Sequence, residues 1–415
     1  MAVWPFNRFE NRLWCGPLMA RILFLAHRYP YPPNKGEKIR AFHIAEHLLK
    51  THEVALGFAM TPGDPEPDLS WAKRFSDFYC GRISTFDRLF RTGVSFLTAE
   101  PLSVGAFRHG GLGGWVKQQV ATKKPDITFA FSSAAAQYAP PGIPILMDFV
   151  DVDSEKWRQY GETQGAARAW FYRMEARRLL AFDRAEAARA AASVFVSEDE
   201  KRIFDRLSPE TRDKHVAIAN GVDVGFFDPA KVRPHEKSAP TIVFVGVMDY
   251  WPNVDAVTWF ANEILPLVRR RYSHARFQIV GARPAASVLA LKALPGVEVT
   301  GPVDDVRPYV AAADVVVAPL RIARGIQNKV LEGMAMARPV VTTPGALEGI
   351  NAQRGRDLLT GTTAEEIAAA VESVLGGQAA PTLGEAARAF VLKNHEWGTN
   401  LRKLDALIER TLKGS

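Results

Sequence analysis

The chain has 415 residues, more than one hydrophobic core usually holds, so two domains are expected. A hydrophobic share of 47% and a charged share of 23% are ordinary for a globular protein, and no run of about 18 apolar residues interrupts the charges, which excludes a membrane-spanning helix. The net charge of +7 favours anionic partners, and the two cysteines, Cys15 and Cys80, fit neither a disulfide framework nor a zinc site, so a reducing cytoplasm is the simpler setting.

Residues 1–18 carry Trp4, Phe6, Phe9 and Trp14 among charges and lack the continuous apolar core of a signal peptide. Met19 directly precedes a natural first strand, so it is read as the native start, or 1–18 as a loose amphipathic tail. From there β-rich runs at 21–26, 54–60, 126–131, 145–150 and 193–196 alternate with helical stretches. A second series follows at 241–246, 276–281, 297–301, 314–320 and 339–343. Such alternation predicts parallel sheets covered by helices. The expected organisation is an extension at 1–18, a first domain at 19–222, a linker at 223–240, a second domain at 241–383 and a helical segment at 384–415. That last segment is broken at Trp397-Gly398 and could pack back on the first domain. Ligands of open parallel sheets sit at the carboxyl ends of strands, and two such domains facing each other enclose a cleft there.

The first strand runs into a loop from His27 to Arg40 with three prolines and one glycine, Gly36, whose backbone is open to a phosphate or an acceptor. It matches neither the dinucleotide fingerprint nor a Walker loop. His43-Ile-Ala-Glu46-His47 has the order of a zinc-binding helix but no third ligand, and an amphipathic first helix explains it better. Asp148, Asp151 and Asp153 end a strand; they read as a metal clamp on a diphosphate or, preferably, as a helix start, with a role facing substrate left open. Between 156 and 189, Trp157, Tyr160, Trp170, Phe171 and Tyr172 stand among arginines, as on a membrane surface or on a helix with a solvated face.

In the second domain Gly246, Val247 and Met248 form the matching strand-to-helix loop, with the Val247 and Met248 amides placed to line a diphosphate. Asn253 or Asp255 reads as the cap of the helix that follows. The stretch from Arg324 to Thr343 then supplies a glycine entry at Gly325, a helix with apolar period at Val330, Leu331, Met334 and Ala335, and a β-branched strand. Free amides at that helix start and Lys329 in its first turn suit an anion. Glu332, one turn on, suits the hydroxyls of the same ligand, as a carboxylate accepts from a ribose diol. Together they predict a nucleoside diphosphate site.

These residues, with Tyr29 to Arg40, Asp148 to Trp157, Asn220-Gly-Val-Asp223, Gly246 to Phe260 and Asp304 to Tyr309, resemble the family-4 glycosyltransferases, most closely those of bacterial exopolysaccharide and PEP-CTERM/exosortase systems. The resemblance implies an α/β GT-B fold, two Rossmann-like domains with parallel sheets facing across a cleft. It implies retaining transfer of a sugar from a nucleotide donor to a hydroxyl on a glycan or lipid-linked acceptor, without a bound cofactor or metal. Lys329, Glu332 and Arg324 take the catalytic positions. Lys35, Gly36, Gly246, Val247, Met248, Gly325, Ile326 and Asn328 take the donor contacts, and Asp148 and Asp151 the acceptor side. Expected partners are the nucleotide sugar, its acceptor and the inner-membrane surface, in the cytoplasm, with no nucleic acid. Arg324 stands where the family carries a glutamate, Met248 and Tyr250 where many members carry Arg and Lys, and Ala337 where they carry a helix-ending glycine. Positive charge at the diphosphate then falls to Lys329, helped by Arg324 or Arg321. A sugar-nucleotide epimerase of similar fold and a non-catalytic sugar-nucleotide or scaffold protein are the rival expectations.

Overall fold

A computed structural model describes residues 19–33, 36–64, 66–162, 165–323 and 326–414. The expectations for the 1–18 tail, Lys35, Arg324 and Gly325 lie outside the described residues. The chain forms two compact units: the first comprises the residues up to Phe195, Glu200–Val216 and Leu404–Ser415, the second Val196–Asp199 and Ala217–Lys403.

The first unit is built on a seven-stranded sheet of β1 (Arg21–Ala26), β2 (Glu53–Met60), β3 (Asp77–Arg82), β4 (Ile127–Phe131), β5 (Ile145–Val150), β6 (Ala192–Phe195) and β7 (His215–Ala217), in the order β3-β2-β1-β4-β5-β6-β7. Every pairing from β3 to β6 is parallel. A parallel sheet is covered on both faces, so its inner strands are continuously apolar. In β1, Leu23 lies beside Ala55 and Thr128, and Phe24 beside Leu56 and Phe129, whose ring it stacks on at 5.1 Å.

The second unit carries β8 (Thr241–Val245), β9 (Arg276–Val280), β10 (Val297–Gly301), β11 (Val315–Ala318), β12 (Val340–Thr342) and β13 (Leu359–Thr360) in the parallel order β10-β9-β8-β11-β12-β13. The strands expected at 21–26, 145–150 and 297–301 coincide with β1, β5 and β10. Strands β3, β7 and β13 are additional. β3 is an edge strand of half-buried residues with polar ends, and the other two are only three and two residues long, too short to show an alternation.

Residues 223–240, expected as a linker, are tied to the second unit. Asp223 accepts from the Gly225 and Phe226 amides, and Arg388 donates to Phe227 O and pairs with Asp228. The C-terminal segment is two helices, Ala380–Asn394 and Trp397–Lys413, and the turn between them abuts Asn220-Gly221-Val222, with Val222 N–H donating to His395 O at 2.7 Å. In the first unit His47 Nε2 meets Asp405 Oδ1 at 2.7 Å, which fastens the end of the chain to the helix Gly36–Leu48.

The stretch 156–189 is two helices, Asp153–Glu162 and Ala166–Arg189, packed on each other. Trp157, Tyr160 and Tyr172 form one aromatic cluster between them, with Trp157 stacked on Tyr172 at 5.6 Å, and Tyr160, Trp170 and Phe171 are exposed. Among the described residues no helix is long and apolar enough to cross a membrane.

Candidate active site

In the second unit the carboxyl ends of β8 and β9 are locked together by two glycines. A methyl group on Gly281, at φ +147°, would lie 1.8 Å from Gly246 O, so only glycine permits this approach. Gly246 N–H donates to Val280 O and Met248 N–H to Ala282 O, while the Met248 side chain is fully buried. The Gly246 amide, and that of Met248, one of the two expected to face a diphosphate, are therefore spent on the loop itself. The Val247 amide has no acceptor among the described residues.

Asn253 lies in the helix Trp251–Trp259 rather than capping it, and is buried. Its Nδ2 donates to Val247 O at 2.9 Å and its Oδ1 accepts from Lys329 Nζ at 3.0 Å. One amide thus fixes both the loop and the lysine. Lys329 also stands 5.4 Å from the centroid of the Phe244 ring, on β8.

Lys329 and Glu332 belong to the helix Asn328–Ala335, whose other face buries Val330, Leu331 and Met334. Its N-cap residue, Gln327, places no side chain on the first-turn amides, which are the groups an anion would take. Residues three apart on a helix share a face, so Lys329 and Glu332 look the same way. Burial lowers the Lys329 pKa to about 8, against the pull of Glu332. Burial likewise lifts Glu332 to about 7, against the pull of Lys329. Ile326 packs against Gly349, where an added methyl group would lie 2.8 Å from its Cγ1.

The helix ends in a Schellman turn: Arg338 N–H donates to Gly333 O, and Ala337 N–H to Met334 O. Ala337 adopts φ +52°, the left-handed conformation that glycine usually fills. Arg388 donates to Ala335 O and covers one of the last carbonyls. Arg321, expected as a helper at the diphosphate, is instead paired with Asp255 through two hydrogen bonds and lies 5.2 Å from the Trp259 ring centroid. The Asp255 hydrogen bonds raise its pKa further. Lys329 is left as the charge nearest the helix start among the described candidates.

In the first unit the expected acceptor residues separate. Asp148 is fully buried and paired at 2.9 Å with Arg40, itself fully buried, from the helix Gly36–Leu48. Burial raises the Asp148 pKa and Arg40 opposes the rise. Asp148 is thus a core ion-pair residue that fastens the first helix to β5, and its carboxylate does not reach the cavity nearby. Gly36 begins that helix.

Asp151 does line the cavity, and it pairs with Lys156 at 2.7 Å. The space, about 450 Å³, opens at the carboxyl ends of β1, β4 and β5 and is walled by His27, Ser132, Val150, Trp157 and Tyr160. Ser132 at φ +75° and ψ 154°, and Val150 at φ +69°, hold backbone shapes that non-glycine residues rarely adopt. Ser132 N–H donates to Asp148 O, and the buried Ser132 Oγ has no partner among the described residues.

The zinc-like helix motif is spent on structural pairs: Glu46 accepts from Trp71 Nε1 and pairs with Arg74, and His47 pairs with Asp405. Among the described residues no group of three or more His, Cys, Asp or Glu is placed to hold a metal ion.

Residues 239–376, which span every strand of the second sheet, match the family model described as glycosyl transferases group 1. The fold is GT-B. Solved structures of this GT-B architecture align over nearly the whole chain. Anabaena HepE in complex with UDP and glucose is 14% identical, covers 94% of this chain and 100% of its own, and has a TM-score of 0.63. A glycosyltransferase from Rickettsia africae is 17% identical over 96% and 100%, with a TM-score of 0.65. Sucrose-phosphate synthase from Thermosynechococcus elongatus is 16% identical over 96% and 100%, also at 0.65. No curated protein matches in sequence. At these identities the likeness speaks for the GT-B fold, while the family match speaks for the second unit.

Asn253 as the tether of Lys329 was not anticipated. Its signal was a polar residue at a helix start, which capping explained equally well, and its partner lies 76 residues away.

Proposed function

We propose that this protein is a retaining glycosyltransferase that moves a sugar from a nucleoside diphosphate donor to a hydroxyl acceptor. The second unit holds the donor and the cavity of the first unit holds the acceptor. The observation that carries this reading is Lys329, tethered by Asn253 and sharing a helix face with Glu332 above uncapped amides. Support comes from the family match over the same unit, and from HepE, which has the same fold and was solved with UDP and glucose.

In this reading the bond between the anomeric carbon and the diphosphate oxygen breaks, and its electron pair stays on the diphosphate. Lys329 and the amides of Val247, Ile326 and Asn328 answer that charge, a fixed electrostatic task in a partly buried site. Glu332 accepts from the ribose hydroxyls. The acceptor oxygen bonds to the same face of the anomeric carbon and its proton passes to the departing diphosphate, with no metal in the step. The acceptor is a glycan or a lipid-linked sugar of extracellular polysaccharide assembly, modified at the cytoplasmic face of the inner membrane.

Thermal shift across nucleoside diphosphates and their sugars identifies the donor, since a ligand of the folded state raises its melting temperature. Transfer is then measured with Lys329→Ala. A folded variant with wild-type turnover removes Lys329 from the mechanism. Because Glu332 and Lys329 lie near 7 and 8, an epimerase working by proton transfer is the second reading, and a changed sugar nucleotide formed without acceptor would favour it.

A further inference from the structure

The helix Thr85–Leu97 of the first unit is oriented the opposite way from an ordinary surface helix. Phe86, Leu89, Phe90, Gly93 and Leu97 recur at three- and four-residue intervals and form one stripe, and that stripe faces outward. Phe86 is 76% exposed, Leu89 73% and Leu97 85%. The side turned to the protein is mostly polar instead: Ser95 is buried and Arg91 and Thr92 half-buried, with Val94 half-buried at its flank.

The helix is nonetheless well made. Ser84 caps it by accepting from Asp87 N–H at 3.0 Å, and Arg178 donates to Ser95 O and Phe96 O at its end. The outward stripe is therefore a feature of an ordered helix. Phe86 and Phe90 stack on each other in the open, with ring planes 11° apart.

The surroundings are basic and aromatic. The helix's own arginines, Arg88 and Arg91, stand seven and four residues from Ser95 and so share its side, and the basic groups of the outer surface come from the neighbouring helix. The helix Ala166–Arg189, which supplies Arg178, exposes Trp170 and Phe171 together with Arg168, Arg173 and Arg177. Phe171 is two turns from Arg178 on the same side, about 10 Å away along the axis. A convex apolar ridge beside arginines and an exposed tryptophan is matched by an anionic bilayer interface, which accepts apolar side chains below its headgroups and arginines among them. A groove on a protein partner would need a matching concave shape; a fluid interface does not.

We propose that the helix Thr85–Leu97, with Trp170 and Phe171, docks this protein onto a membrane surface containing anionic phospholipids. Of the aromatic stretch expected to do so from sequence, Trp170 and Phe171 contribute. This inference is independent of the transfer chemistry, because it concerns binding alone.

The full chain is sedimented with vesicles of phosphatidylcholine, and with vesicles of phosphatidylcholine and phosphatidylglycerol. Wild type should pellet with the mixed vesicles and be released by salt. The double variant Leu89→Ser with Phe90→Ser should bind about tenfold or more weakly, with an unchanged melting temperature because both side chains are exposed. Arg173→Ser with Arg177→Ser, beside Trp170, should lose most of the preference for the anionic vesicles. Wild type that stays in the supernatant with both vesicles overturns the proposal, as does a double variant that pellets equally well. A wild type that is dimeric in solution, made monomeric by the double variant with no vesicle binding by either, assigns the stripe to a second copy of the chain and also overturns it.

Discussion

Asn253 Oδ1 accepts from Lys329 Nζ at 3.0 Å while its Nδ2 donates to Val247 O, so one buried amide sets the position of the lysine relative to the loop after β8. Asn253→Leu removes both bonds. The expected result is a loss of about 1–3 kcal/mol of stability, with turnover falling by about 10²-fold while Lys329 is still present. Asn253→Asp supplies a charge that raises the Lys329 pKa. Its activity should extend to higher pH, and a pH–rate profile reads this directly.

The paired shifts of Glu332 and Lys329 give opposite pH dependences. Glu332 is raised on folding, so its contribution to stability is full below about pH 4.5 and is lost as pH rises through about 7. Lys329 is depressed, so its contribution is full above about pH 10.5 and is lost as pH falls through about 8. Between about 7 and 8 both groups are charged and both costs are present. A donor that uses a carboxylate acceptor and an ammonium donor should therefore bind best in that window. The donor-induced rise in melting temperature, followed against pH, should peak there, and Glu332→Gln should abolish its acid limb.

Ala337 holds φ +52° at the end of the helix Asn328–Ala335. A residue with a β-carbon pays about 1 kcal/mol or more in that conformation. Ala337→Gly should stabilise the protein by about 0.5–1 kcal/mol, less than the strain relieved because glycine also loosens the unfolded chain. Urea denaturation checks the sign. Gly384→Ala should act the other way, since its methyl group would lie 2.3 Å from Ala337 O.

The ion pair of Arg40 and Asp148 lies wholly out of water. Arg40→Met leaves a carboxylate in the core and should cost about 3–5 kcal/mol, whereas Arg40→Met with Asp148→Leu should recover much of that loss. Denaturant midpoints of the two variants distinguish this structural role from an acceptor contact.

The sheets were legible because parallel strands buried on both faces are written as continuous apolar runs, as in Arg21–Ala26 and Ile145–Val150. The same local reading could not see pairings across the fold. Arg40 meets Asp148 across 108 residues, and Asp255 takes Arg321 across 66, so one candidate acid was withdrawn into the core and one candidate cation was paired off. Lys329 and Glu332 were legible as a pair because both lie on one short helix. The outward apolar stripe of Thr85–Leu97 was missed since its periodicity alone reads as an ordinary core-facing helix.

Ser132, just after β4, and Val150, at the end of β5, border the first-unit cavity, and both keep a backbone shape that glycine would hold without strain. Relief by Ser132→Gly should make the unit harder to melt and at the same time free the cavity wall to flex. A selection for thermal resilience would drift toward glycine here, and a selection for a sharply discriminating ligand would resist it. Which of the two residues fills position 132 in a variant library thus reports whether the cavity is under functional constraint.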